Sequence, residues 1–93
     1  DELALMMHEA FRLIDDPVGE STYLRLSTRA VRQVVRPDDR WEADALAGAY
    51  WLREPGSNAE AAIVAMGAVM PEALAAHEEL SADLPGLGLL AVT

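Results

Sequence analysis

Residues 59–93, AEAAIVAMGAVMPEALAAHEELSADLPGLGLLAVT, read as one strand–helix–strand unit with a marked boundary at each step. The apolar run 61–66, centred on Ile63 and Val64, is closed by Gly67. Pro71 suits the first turn of a helix, where its missing N–H has no intrahelical partner and its fixed φ is already helical. Glu72 follows, a favourable charge at the positive helix end. The pattern predicts a helix over 71–82 through Leu74 and Leu80, stopped by Pro85-Gly86 ahead of a second apolar run at 88–92. Two runs apolar on both faces, joined by a helix of about three turns, are what a parallel sheet covered by helices requires. The unit is therefore expected to be βαβ, its strands adjacent and parallel and its crossover right-handed.

Working outward, 93 residues leave room for one small domain, a size at which apolar surface is hard to bury. Yet the chain is 52% hydrophobic and only 5% aromatic, the Ala/Val/Leu diet of a large α/β protein. It opens on Asp1 rather than Met and stops at Thr93 directly after a strand, so the expectation is a piece of a longer protein. About four strands against two clear helices leave cover short, so the class is α/β with sheets that these residues leave incomplete.

The formal net charge of −9, with seven Arg and no Lys, argues against nucleic acid or an anionic membrane as partner, because both reward a basic surface. Zero Cys removes disulfides, thiolate metal sites and Cys nucleophiles, which fits a cytoplasmic location. No apolar run approaches the roughly 20 residues of a membrane span. Arg-only basicity with abundant Ala matches the composition of GC-rich bacterial genomes.

Upstream, residues 1–16 carry Leu3, Met6, Met7, Ala10, Phe11, Leu13 and Ile14 at helical spacing. Asp15-Asp16-Pro17-Val18-Gly19 ends that helix. Residues 21–27 alternate and predict a strand, with Thr22, Leu24 and Leu26 on one face. From 28 to 44 the pattern breaks down into Arg, Val and a Pro37-Asp38-Asp39 turn, the expected linker. Tyr50-Trp51-Leu52 then forms a strand core, and Pro55-Gly56-Ser57-Asn58 turns the chain into the βαβ unit.

None of the usual chemical constellations is complete. His8 and His77 sit on separate predicted helices without the His-x-x-x-His spacing that puts two ligands on one face, so a solvated or half-buried helical His is the preferred reading. Gly67-Ala68-Val69-Met70-Pro71 lacks both GxGxxG and a Lys-Ser/Thr pair, which favours a tight strand-to-helix turn over a phosphate loop. Met6-Met7 reads as core, and Ser27 has no His or Asp at a telling distance. Arg29 stands out because it follows a strand's carboxyl end, where open α/β sheets bind ligands and a guanidinium can hold a carboxylate or phosphate. Pairing of these Arg side chains with the chain's own carboxylates, or with a neighbouring subunit, is the simpler alternative.

Residues 60–79, EAAIVAMGAVMPEALAAHEE, and 86–93, GLGLLAVT, resemble the start of the C-terminal domain of transketolase-like thiamine-diphosphate enzymes. Residues 20–29, ESTYLRLSTR, resemble the last strand of their pyrimidine-binding domain, after which an extended linker crosses to the C-terminal domain. The wording is closest to the E1 component of 2-oxoacid dehydrogenase complexes, in particular the homodimeric pyruvate dehydrogenase type. The resemblance implies parts of two three-layer α/β/α domains, the second beginning a mostly parallel sheet: 1–36 ending a pyrimidine-binding-type domain, 37–44 as interdomain linker, and 45–93 opening a C-terminal-type domain.

That family implies thiamine diphosphate and Mg²⁺ in the complete enzyme and oxidative decarboxylation of a 2-oxoacid. Its partners would be the remaining polypeptide, a second subunit of a homodimer and an acyltransferase E2 component. The Gly-Asp-Gly…Asn motif that holds Mg²⁺ and the glutamate that activates the aminopyrimidine have no counterpart here, so neither cofactor nor catalytic residues are expected in these 93 residues. In transketolases a Ser-Arg pair after the corresponding strand contacts the substrate's phosphate; Ser27 and Arg29 stand there with Thr28 inserted, which makes Arg29 the implied substrate contact. Transketolase proper and a non-catalytic acidic α/β oligomerisation module remain the alternatives.

Overall fold

The computed structural model describes residues 2–36 and 38–93. In chain order its elements are α1 (Glu2–Asp15), α2 (Trp41–Leu46), β1 (Ala49–Arg53), β2 (Ala62–Met66), α3 (Met70–Leu80) and β3 (Gly88–Val92), with a 3₁₀ turn at Gly67–Val69 leading into α3. The strands form one sheet in the order β1-β3-β2. β2 and β3 pair in parallel, from Ala62 opposite Gly88 to Met66 opposite Val92, as the two apolar runs lead one to expect. β1 lies antiparallel against the other side of β3, with Tyr50 opposite Ala91 and Trp51 opposite Leu90. The fold class is α/β, and the sheet is mixed.

Local chemistry explains the βαβ joints. Gly67 has φ +65°, a left-handed conformation that L side chains rarely adopt, and it lets β2 turn directly into α3. Pro71 lies in the first turn of α3 with Glu72 beside it. At the far end, Leu84 N–H donates to the Leu80 carbonyl at 2.9 Å, so one orphan carbonyl of the helix is satisfied. Gly88 opens β3 under the Trp51 ring and Pro55, where a Cβ would come within 2.9 Å of the ring.

The core lies on one face of the sheet. Ala45, Tyr50 and Ala91 form one cluster, joined by Leu5, Trp41, Leu52 and Met70. Ala65, Ala73 and Leu89 form a second, joined by Ile63 and Leu74. Tyr50, Ala91 and Ala65 occupy one row across the three strands, so α2 and α3 pack on the same face. Ala73 facing Ala65 lets α3 approach closely, which is why a chain with few aromatics closes a dense core. The opposite face carries the row Trp51, Leu90, Val64 and its neighbour Met66, and it is open: Val64 is 62% and Met66 64% exposed.

Two expectations need correction. Residues 21–27 join no strand ladder, and every residue from 17 to 33 is exposed, so there are three strands rather than four among the described residues. Alternation says which face a strand would bury, but a ladder also needs a neighbour's N–H and C=O groups, and nothing described offers them here. Within 28–44, residues 41–46 fold as α2, which overlaps the stretch expected as linker. Trp41 and Ala45, four apart, give that turn an apolar face against Tyr50, a signal hidden by the charged residues around it.

Candidate functional site

Arg29 is held at the carboxyl end of β2, where the chain turns into α3. Its backbone N–H donates to Ser27 Oγ at 3.1 Å, forming a local side-chain turn. Its guanidinium reaches across 39 residues of sequence to the Ala68 carbonyl (3.1 Å) and across 43 to Glu72 Oε1 (2.6 Å). Both side chains of the Arg29–Glu72 pair are about half exposed, at 49% and 58%. The hydrogen bond from Arg29 holds the Glu72 carboxyl below its ordinary value of 4.5, and Glu72 in turn raises Arg29. The guanidinium is thus engaged by a carboxylate of its own chain, at the end of the sheet where an α/β fold offers a ligand site.

A second arginine builds a tighter cluster that sequence reasoning missed. Arg36 Nη2 donates to Glu2 Oε2 at 3.1 Å and to the Tyr50 hydroxyl, while Nη1 donates to the Val34 carbonyl at 3.3 Å. The Tyr50 hydroxyl donates to the same Glu2 Oε2 at 2.6 Å. The guanidinium carbon lies 4.0 Å from the Trp41 ring centroid and 5.1 Å from that of Tyr50, and the two rings sit 5.3 Å apart. Burial, followed by the bond to Glu2, pushes the Tyr50 hydroxyl above its ordinary 10.0, with Arg36 opposing. Arg36 Nε is buried without a partner among the described residues. Nothing in the sequence set Arg36 apart beforehand, since Arg40 lies nearer to both Trp41 and Tyr50.

Beside this cluster lies an open cavity of about 530 Å³, lined by Arg36, Arg40 and Arg53 and by Asp38, Asp44 and Glu54. Three charges of each sign give it no preference for an anion or a cation. Asp38, held low by hydrogen bonds from the Arg40 backbone and side chain, is paired within the loop.

The remaining candidates have structural surroundings. His77 Nε2 lies 2.8 Å from the Leu87 carbonyl, which can only accept, so this nitrogen carries the proton and ties α3 to the approach to β3. Nδ1 faces Ser81 Oγ at 3.4 Å. His8 is exposed on α1. Ser27 Oγ serves the Arg29 turn, and Met7 borders a shallow apolar groove with Phe11, Ile14 and Leu24. Among the described residues no group of three or more His, Cys, Asp or Glu is placed to hold a metal ion. No helix among them is long and apolar enough to cross a membrane. Neither the protein-family models, nor the curated proteins, nor the solved structures contain a match to this chain.

Proposed function

We propose that the chain is the domain junction of a thiamine-diphosphate-dependent, transketolase-like enzyme of the cytoplasm. The closest type is the E1 component of a 2-oxoacid dehydrogenase of the homodimeric pyruvate dehydrogenase kind. In this reading, 1–36 ends a pyrimidine-binding-type domain, 37–44 makes the crossing with its last residues already inside α2, and 45–93 opens the C-terminal-type domain. The observation that carries it is the one-sided cover of the sheet. A parallel β2–β3 pair is apolar on both faces, α2 and α3 bury one, and Trp51, Val64 and Met66 stand exposed on the other. All-parallel sheets are covered on both faces; this sheet is mixed, but the exposed apolar face of its parallel β2–β3 pair supports a reading in which a larger α/β/α enzyme and a second subunit add a further layer. The resemblance of 60–79 and 86–93 to the C-terminal domain of that family is what favours this enzyme over other α/β proteins.

Thiamine diphosphate with Mg²⁺, bound by other parts of the dimer, supplies the decarboxylation chemistry. The work of these residues is packing and assembly: the βαβ unit forms the rigid start of a sheet and presents its open face to a neighbour. Arg29 fits a subsidiary role as an anion contact. An exposed ion pair is worth little, so a substrate carboxylate or phosphate at the end of β2 can replace Glu72 on the guanidinium at small cost.

The test is the reading frame upstream of Asp1. A Gly-Asp-Gly…Asn motif preceding this stretch is the expected result, and a frame without one refutes the assignment. Calorimetry on the 93-residue chain adds a second arm: no Mg²⁺-dependent binding of thiamine diphosphate is expected, and measurable binding would mean that the cofactor site had been misplaced.

A further inference from the structure

We infer that Arg36 is the clasp that fixes α1 onto the sheet, and that releasing it frees α1 while the βαβ unit stays folded. The inference does not depend on the cofactor assignment. It starts from how unevenly α1 is attached. Near its beginning, Leu5 packs on the Ala45–Tyr50–Ala91 cluster and Glu2 meets Arg36 and Tyr50. Further along, Ala10 is its only buried residue, while Phe11 and Ile14 are 64% and 69% exposed. The helix is therefore tied to the sheet near its beginning, while its later turns meet only the exposed stretch at Thr22 and Leu24 across a shallow groove.

Arg36 is the common member of that attachment. One planar guanidinium donates to Glu2 on α1, to Tyr50 on β1 and to Val34 in its own stretch, while its face stacks on Trp41 of α2. A planar fork can satisfy several acceptors in its plane and stack at the same time, which a lysine ammonium cannot. The Arg36 side chain is 16% exposed and Glu2 35%, so solvent screens the pair far less than it screens Arg29–Glu72. Arg36 touches the first core cluster only at its edge, through Tyr50 and Trp41, and meets no residue of the second, so its loss leaves the packing of Ala65, Ala73 and Leu89 in α3, β2 and β3 in place.

Hydrogen exchange on the full 93-residue chain tests this, because it reports opening element by element. Arg36→Met should raise amide exchange in α1 by about tenfold or more, with protection in β2 and β3 unchanged. Arg36→Lys, which retains charge but not the fork, should fall between wild type and Arg36→Met. Glu2→Gln should loosen α1 alone, and combined with Arg36→Met it should add little, because both remove the same link. Equal loss of protection in α1 and the sheet would make Arg36 an ordinary part of one folding unit and overturn the inference, as would unchanged α1 exchange. Should Arg36→Met fail to fold, Glu2→Gln decides alone: selective loosening of α1 supports the clasp, and none refutes it.

Discussion

The two ends of the chain have similar apolar content but very different structure. In 49–93, alternation along β1, β2 and β3 is converted into a packed face, with Leu89 fully buried and Ala91 1% exposed. In 2–36, the amphipathic α1 and the alternating stretch 21–27 bury little: Ala10 is the only buried residue there. The difference lies in partners. Each half-buried strand of the sheet has a neighbour for its backbone groups and a helix packed on one face, whereas the alternating stretch near the amino end has no strand beside it among the described residues and meets α1 only across a shallow groove. An amphipathic pattern states a demand for burial, and only a second surface meets it.

The largest test of that contrast pairs a core leucine with its counterparts in the exposed stretch. Leu89→Ala should lower unfolding stability by about 2–5 kcal/mol, the usual range for a fully buried leucine. Leu26→Ala, at a residue 60% exposed, should stay within about 0.5 kcal/mol. Urea titration of both variants checks this, and comparable losses would erase the distinction between the two regions.

Next in size is the open face of the sheet. If Trp51, Leu90, Val64 and Met66 lack a layer of their own, the isolated chain should associate or stay loosely packed, with a melt that depends on concentration. Val64→Thr with Met66→Thr keeps strand-compatible side chains while removing apolar area, and should weaken association about tenfold. Sedimentation velocity measures it; a wild-type monomer at every concentration, melting cooperatively, would show that one covered face suffices.

A smaller effect is expected at the tie between α3 and β3. His77→Ala removes the donor to the Leu87 carbonyl and should cost about 1 kcal/mol, the net worth of a typical hydrogen bond. Chemical denaturation reads it, and an unchanged midpoint would place the joint entirely in the apolar packing.

The smallest concerns the contact between the two regions at Arg29 and Glu72. Because Glu72 is held below 4.5, its contribution is complete above that value and fades as pH falls through the lower folded-state value. An NMR titration should find the Glu72 carboxyl below 4.5 in the wild type and shifted upward in Arg29→Gln, where only the backbone hydrogen bond still lowers it. Identical titrations would mean that the pair is not formed in solution.

Where the sequence was decisive, the information was local. Gly67, Pro71 and Pro85-Gly86 bracket the helix between two apolar runs, and the structure places β2, α3 and β3 there with β2 and β3 parallel. Backbone angles and missing N–H groups act within a few residues, so they can be read without knowing the fold. Three things were decided only by tertiary contact. The alternating 21–27 did not become a strand because no ladder reached it. Trp41–Leu46 became a helix because Trp41 and Ala45 found Tyr50. Arg36, indistinguishable in sequence from the other arginines of its stretch, acquired its surroundings from Glu2, Trp41 and Tyr50, residues that come together only when α1 and β1 are both in place. A charged side chain's role depends on which opposite charges and rings surround it, and that neighbourhood is a property of the folded chain.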